Sequence, residues 1–183
     1  LARVYEDAFP TEYQASTDPD LAVDDVLELE RMRAEGLVVS VAFSNRARSM
    51  ASPGVPEVTE LRVYLRGGAL ILSDFMPILE NAGLRVIAVN PFEVEGAGVP
   101  HALVTTFAVT DAAGRQLDVD ARGIAVAETI VAVRAGEVSN DILNGLVLGT
   151  GLHWREVDVL RALSAYAFQV GAVPARFALP NAL

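Results

Sequence analysis

Leu61–Val94 reads LRVYLRGGALILSDFMPILENAGLRVIAVNPFEV, and its punctuation decides the fold. Leu61, Val63 and Leu65 alternate with Arg62, Tyr64 and Arg66, the period of a strand with two distinct faces. Gly67-Gly68 turns the chain. Ser73 stands where a helix cap belongs, with Asp74 at the positive end of the helix. Phe75, Ile78, Leu79 and Ala82 follow at i, i+3, i+4 and i+7, a single buried stripe. Pro77 distorts the helix start, Gly83 ends the helix, and Leu84–Val89 begins a second strand.

Working outward toward the N-terminus, Leu1–Glu6 alternates like a short strand, and Asp7–Thr17 reads as a loop. Asp18-Pro19 opens a helix in which Ala22, Val26, Leu29 and Met32 form the apolar stripe, with Gly36 as its stop. Leu37–Phe43 is apolar nearly throughout and reads as an interior strand. Ser44–Val58, with Pro53, Gly54 and Pro56, is the longest loop. Downstream, Asn90-Pro91 interrupts the second strand, which resumes at Phe92–Glu95. After a turn at Gly96, Gly98 and Pro100, Ala102–Thr110 is a further strand.

This order is β-α-β-β-α-β with an extra strand, the ferredoxin-like split βαβ arrangement of an α+β domain. It implies a two-layer sandwich with helices on one sheet face and the other face open. From Asp118 or Asp120 onward the pattern is helical, with a helix to about Arg134, a short one at Asn140–Leu148 and a longer one at Trp154–Val170. Val159, Leu160, Leu163, Tyr166, Ala167 and Val170 give that last helix a wide apolar stripe that something must cover. The expected division is residues 1–116 for the sheet domain and 117–183 for a helical extension.

Composition narrows the function. The 183 residues are 52% hydrophobic and 21% charged, values of a chain that buries a core. A net charge of −10 runs against nucleic acid and anionic membrane as partners, both of which need Lys and Arg. No apolar run is long enough to span a bilayer, and no export signal is legible. With no Cys, the chain fits a cytoplasmic setting. All 14 basic residues are Arg, so there is no Lys for a Schiff base, a proton transfer or a phosphate contact. The absence of an initiating Met at Leu1 reads as a piece of a longer chain.

The motifs point away from catalysis. His101 and His153 lack the neighbouring ligands of a metal site, so no metal ligand is assigned. There is no G-x-S-x-G, and neither His has an orienting carboxylate in local sequence. Asp24-Asp25 and Glu28–Glu30 read as the solvated outer face of a helix. Gly149-Thr150-Gly151 lacks the third Gly, the Lys and the preceding strand of a nucleotide loop. An acylphosphatase-like site would need Gly and Arg within Asp7–Thr17, which has neither. No catalytic, cofactor-binding or metal residue is therefore assigned, and any effector-binding residues stay unknown.

Leu61–Val94 also resembles a segment of the non-catalytic N-terminal region of the large bacterial NAD-specific glutamate dehydrogenases. The likeness is most specific at Leu72-Ser73-Asp74, at Pro77, at Leu79-Glu80-Asn81 and at Gly83–Ile87. It returns at Glu137–Asn144, Leu146–Gly149 and Trp154–Val157, and extends from Phe9-Pro10, Tyr13, Ala22-Val23 and Asp25 to about Tyr166. His153 stands where the family usually has a capping Thr, which leaves Glu156 alone and the cap weaker. Leu143 replaces an aromatic residue.

The resemblance implies an ACT-type domain followed by the start of a helical module. It implies a regulatory and architectural segment without cofactor of its own, in a parent enzyme that oxidatively deaminates L-glutamate with NAD elsewhere in the chain. Its partners would be other domains and subunits of that homo-oligomer. The alternative is an allosteric sensor that binds a small amino acid at the loop after the first strand. That loop has no Gly through which backbone N–H groups could approach a carboxylate, which favours assembly over sensing.

Overall fold

The computed structural model describes residues 2–5, 7–45 and 57–171. Four antiparallel strands form one sheet in the order β1-β2-β4-β3, with β1 at Val39–Ser44, β2 at Thr59–Arg66, β3 at Leu84–Gly96 and β4 at Val99–Asp111. Helix α4 (Leu72–Asn81) carries the chain from β2 past one strand position to β3. The β3–β4 hairpin fills that gap, with Leu61 opposite Phe107 and Phe107 opposite Val89. This is the split βαβ unit read from the sequence, and the fold is α+β. The edge position beside β2 is taken by β1, which precedes the unit in the chain.

Each sheet face has its own core. On one side Leu61, Val63, Phe107 and Val109 pack against Phe75 and Leu79 of α4 and Ile130 of α5 (Ile124–Arg134). Phe75 and Phe107 meet at 5.7 Å between ring centres. Leu143, Val147 of α6 (Gly145–Thr150), and Trp154 and Val157 of α7 (Trp154–Gln169) extend this core. The opposite side is covered as well. Tyr64, Val94 and Val104 bury against Leu29 and Met32 of α3 (Pro19–Glu35), Tyr13 of α2 (Thr11–Ser16) and Tyr5 of α1 (Ala2–Tyr5). The sheet is therefore sandwiched, and the open face expected from the sequence is closed by the N-terminal helices.

Several local expectations change for identifiable reasons. The expected strand at Leu1–Glu6 is helical over Ala2–Tyr5, because alternation in so short an apolar run does not separate strand from helix. The expected loop at Asp7–Thr17 contains α2, which starts directly after Pro10. Both helices serve one aromatic stack. Tyr5 lies 6.1 Å from Phe9, Phe9 stacks on Tyr13 at 4.3 Å, and Tyr13 meets Phe92 edge-on at 5.3 Å. The strand read as interior, β1, is an edge strand whose apolar Val39, Val41 and Phe43 pack into the core on the α5 side.

Strand β3 runs unbroken through Asn90-Pro91, since an edge strand can spare the N–H that Pro lacks. Helix α4 starts at Leu72 without a side-chain cap, so Ser73 lies inside it. Asp118 does cap, accepting from the Ala121 N–H at the start of a π-helical turn over Val119–Gly123 that leads into α5. Of the loop expected at Ser44–Val58, residues 46–56 lie outside the described residues. Among the described residues no helix is long and apolar enough to cross a membrane.

Candidate functional site: a buried charge cluster and an exposed helix face

Leu21, Asp25, Leu29 and Met32 share the buried face of α3, which places a carboxylate on an apolar stripe. Asp25 is wholly buried. Its carboxylate accepts hydrogen bonds from the Arg62 guanidinium, from the Tyr13 hydroxyl and, at 2.6 Å, from the Tyr64 hydroxyl. Arg62 also donates from Nε to Glu60 at 2.7 Å. Burial disfavours the Arg62 charge, but the carboxylates of Asp25 and Glu60 outweigh it and hold the group protonated. Burial, reinforced by Asp25, pushes the Tyr13 and Tyr64 hydroxyls well above the usual phenol range. The cluster ties α2, α3 and β2 together.

A buried-to-exposed transition runs along α7. Trp154 and Val157 are buried, and the Arg155 guanidinium lies 4.2 Å from the centre of the Trp154 ring. Arg161 bonds Asp141 at 2.7 and 2.9 Å, Asp158 at 2.7 Å and Asn144 at 3.0 Å, and the Asp141 carboxylate raises its basicity. Beyond Arg161 the helix has no charge. Leu163, Tyr166 and Val170 are 57%, 63% and 57% exposed, and Phe168 also faces solvent. A helix apolar around so much of its girth is a surface that belongs buried.

The cap of α7 is complete, contrary to the weaker cap expected from His153. The imidazole Nδ1 accepts from the Arg155 N–H at 3.2 Å, and Glu156 accepts from the His153 N–H at 2.7 Å. His101 sits exposed on β4. Gly67 and Gly68 form the turn after β2, with φ of 71° and 83°. Gly151 ends α6 at φ 80°, with the Arg122 guanidinium where a Cβ would project. A cavity of about 480 Å³ lies between α3, the end of β1 and the π-helical turn. Asp24, Phe43, Ser44, Asn45, Asp118, Val119 and Asp120 line it.

Three family models match the chain in succession. Residues 1–32 match "Glutamate dehydrogenase, helical motif 2", residues 47–122 match "Glutamate dehydrogenase, ACT3 domain", and residues 138–183 match "Glutamate dehydrogenase, helical motif 3". The chain belongs to the glutamate dehydrogenase family. It is an N-terminal-type region of the large NAD-specific enzymes, and its sheet fits the ferredoxin-like ACT fold. The NAD-specific glutamate dehydrogenase of Halomonas elongata is 30% identical over 166 residues, covering 91% of this chain and 10% of the relative. That of Pseudomonas aeruginosa is 30% identical over 162 residues, 88% of this chain and 10% of the relative. The enzyme of Mycobacterium tuberculosis is 28% identical over 181 residues, 91% and 10% respectively. The chain thus spans about a tenth of the length of the curated relatives it matches.

These matches give the geometry of this glutamate dehydrogenase segment a further meaning. Tyr13 and Asp25 fall within the helical motif 2 match, while Arg62 and Tyr64 fall within the ACT3 match. The charge cluster therefore clasps two modules. The exposed face of α7 lies in the third. Sequence reasoning missed the cluster because it placed Asp25 on the solvated face. The available signal was its spacing of four from both Leu21 and Leu29.

Proposed function

We propose that this segment is a non-catalytic regulatory and architectural part of a large NAD-dependent glutamate dehydrogenase, and that it joins domains or subunits of that enzyme. The parent reaction, L-glutamate with NAD to 2-oxoglutarate, ammonium and NADH, then belongs to a region outside this chain, which is where NAD binds, in the cytoplasm. The partners are other domains and subunits of a homo-oligomer. Residues 1–116 act as the sheet-bearing unit and 117–183 as a helical extension, of which α5, α6 and the start of α7 pack on the sheet. One observation carries the reading: the uncharged, exposed second half of α7 on a body whose two sheet faces are both covered. Deleting the segment from the full-length enzyme should break its assembly and lower its activity. Unchanged assembly and activity would refute the reading.

The cavity beside β1 is the observation that favours a sensor. Its volume would accept a small amino acid, and Asp24, Asp118 and Asp120 would suit an ammonium group. A carboxylate fares worse there. The Asn45 amide already donates to the Leu117 carbonyl at 2.6 Å, and no cation is among the described lining residues. The electrostatics favour assembly. A thermal-shift screen against the twenty amino acids separates the two, because a ligand at 100 times its Kd stabilises by about 2.7 kcal/mol.

A further inference from the structure

His153 occupies a junction that uses both ring nitrogens. Nδ1 accepts the Arg155 N–H at 3.2 Å, and Nε2 lies 3.1 Å from a Glu128 carboxylate oxygen on α5. An imidazole can satisfy both contacts only as the neutral tautomer with its proton on Nε2, which donates to Glu128 while Nδ1 stays an acceptor. A second proton would go on Nδ1. The cap bond to Arg155 would then be lost, since two N–H groups would face each other, while the contact to Glu128 would become an ion pair.

We propose that His153 is a pH-dependent cap, which seats the first turn of α7 when neutral and releases that turn on protonation while remaining tethered to α5. Imidazole is the side chain that changes charge between about pH 5 and 8. The charged groups that face it are Glu128 from α5 and Arg155 and Glu156 from the first turn of α7. On the side of the π-helical turn, Arg122 sits against Gly151, two residues before His153. The usual Thr or Ser cap has no such response. The device concerns how firmly α7 is held and is independent of what its outer face contacts.

The test is nuclear magnetic resonance on the 183-residue chain, comparing wild type, His153→Asn and His153→Ala. Long-range proton–nitrogen correlation at about pH 7.5 should show the His153 proton on Nε2. Lowering the pH to about 5.5 should reduce the Arg155 amide protection factor by roughly fivefold in wild type, the loss expected for a helix cap. His153→Asn, a cap without a titrating group, should stay protected at both pH values. His153→Ala should be poorly protected at both. A neutral ring carrying its proton on Nδ1 would overturn the proposal, as would wild-type protection no more pH-dependent than that of His153→Asn.

Discussion

Asp25 shows how much one side chain decides here. With its carboxylate accepting from Arg62, Tyr13 and Tyr64, removal would leave two buried hydroxyls and part of a guanidinium without their acceptor. Breaking a buried ion pair of this kind costs about 3–5 kcal/mol, so Asp25→Ala should lower stability by that amount in denaturant unfolding. The double variant Asp25→Ala, Arg62→Ala should lose less than the sum of the two singles, because the side chains share one network. Strict additivity would mean that the cluster is not a unit.

Titration gives a second check at this scale. Burial and the Glu30 hydrogen bond push Tyr5 up to about 12, and Tyr13 and Tyr64 are raised as well. A group with a raised folded-state pKa holds its proton while the unfolded chain loses it. Stability should therefore be full below about pH 10 and fall as pH rises through that value. Glu28 is held below the usual carboxylate range by its Arg31 hydrogen bonds, with Ser40 adding to the effect. Its contribution is present above about pH 4.3 and is lost as pH falls. A thermal-denaturation series across pH should show both flanks.

Among the elements, what could be read in advance follows from local rules. The Leu61–Val94 unit needed only alternation, a Gly-Gly turn, a helical stripe and a Gly stop, and its strands and helix stand where that reading put them, save for the cap expected at Ser73 and the break expected at Asn90-Pro91. The N-terminal helices were less legible. Their stabilising partners, Phe92 on β3 and Tyr64 on β2, are distant in sequence, and short apolar runs carry no decisive period. Asp25 misled for a related reason: its partners Arg62 and Tyr64 lie 37 and 39 residues away. Met32, wholly buried under that layer, should cost about 2–5 kcal/mol on replacement by Ala. Pro91 has a different role, as an edge guard on the 13-residue β3. Pro91→Val should leave the fold intact and increase aggregation in light scattering; unchanged scattering would remove that role.

For the whole molecule, the two sheet faces are closed by helices belonging to different modules of the family, and the charge cluster clasps the first module to the sheet. Among the described residues, the outer face of α7 stays uncovered, with the stripe the sequence displayed at Val159, Leu163, Tyr166 and Val170. The sequence could show that the stripe needs a cover, but not that the described body of this segment leaves it bare. Leu163→Glu with Tyr166→Glu, both on exposed positions, should change the folding stability of the chain by no more than about 0.5 kcal/mol.

The decisive measurement is sedimentation analysis of a full-length glutamate dehydrogenase carrying that same double substitution, alongside the wild type. The expected result is a correctly folded protein whose assembly is reduced or whose domains are loosened, with the new charges placed in a contact that excludes water. An assembly identical in mass, shape and activity to the wild type would contradict it.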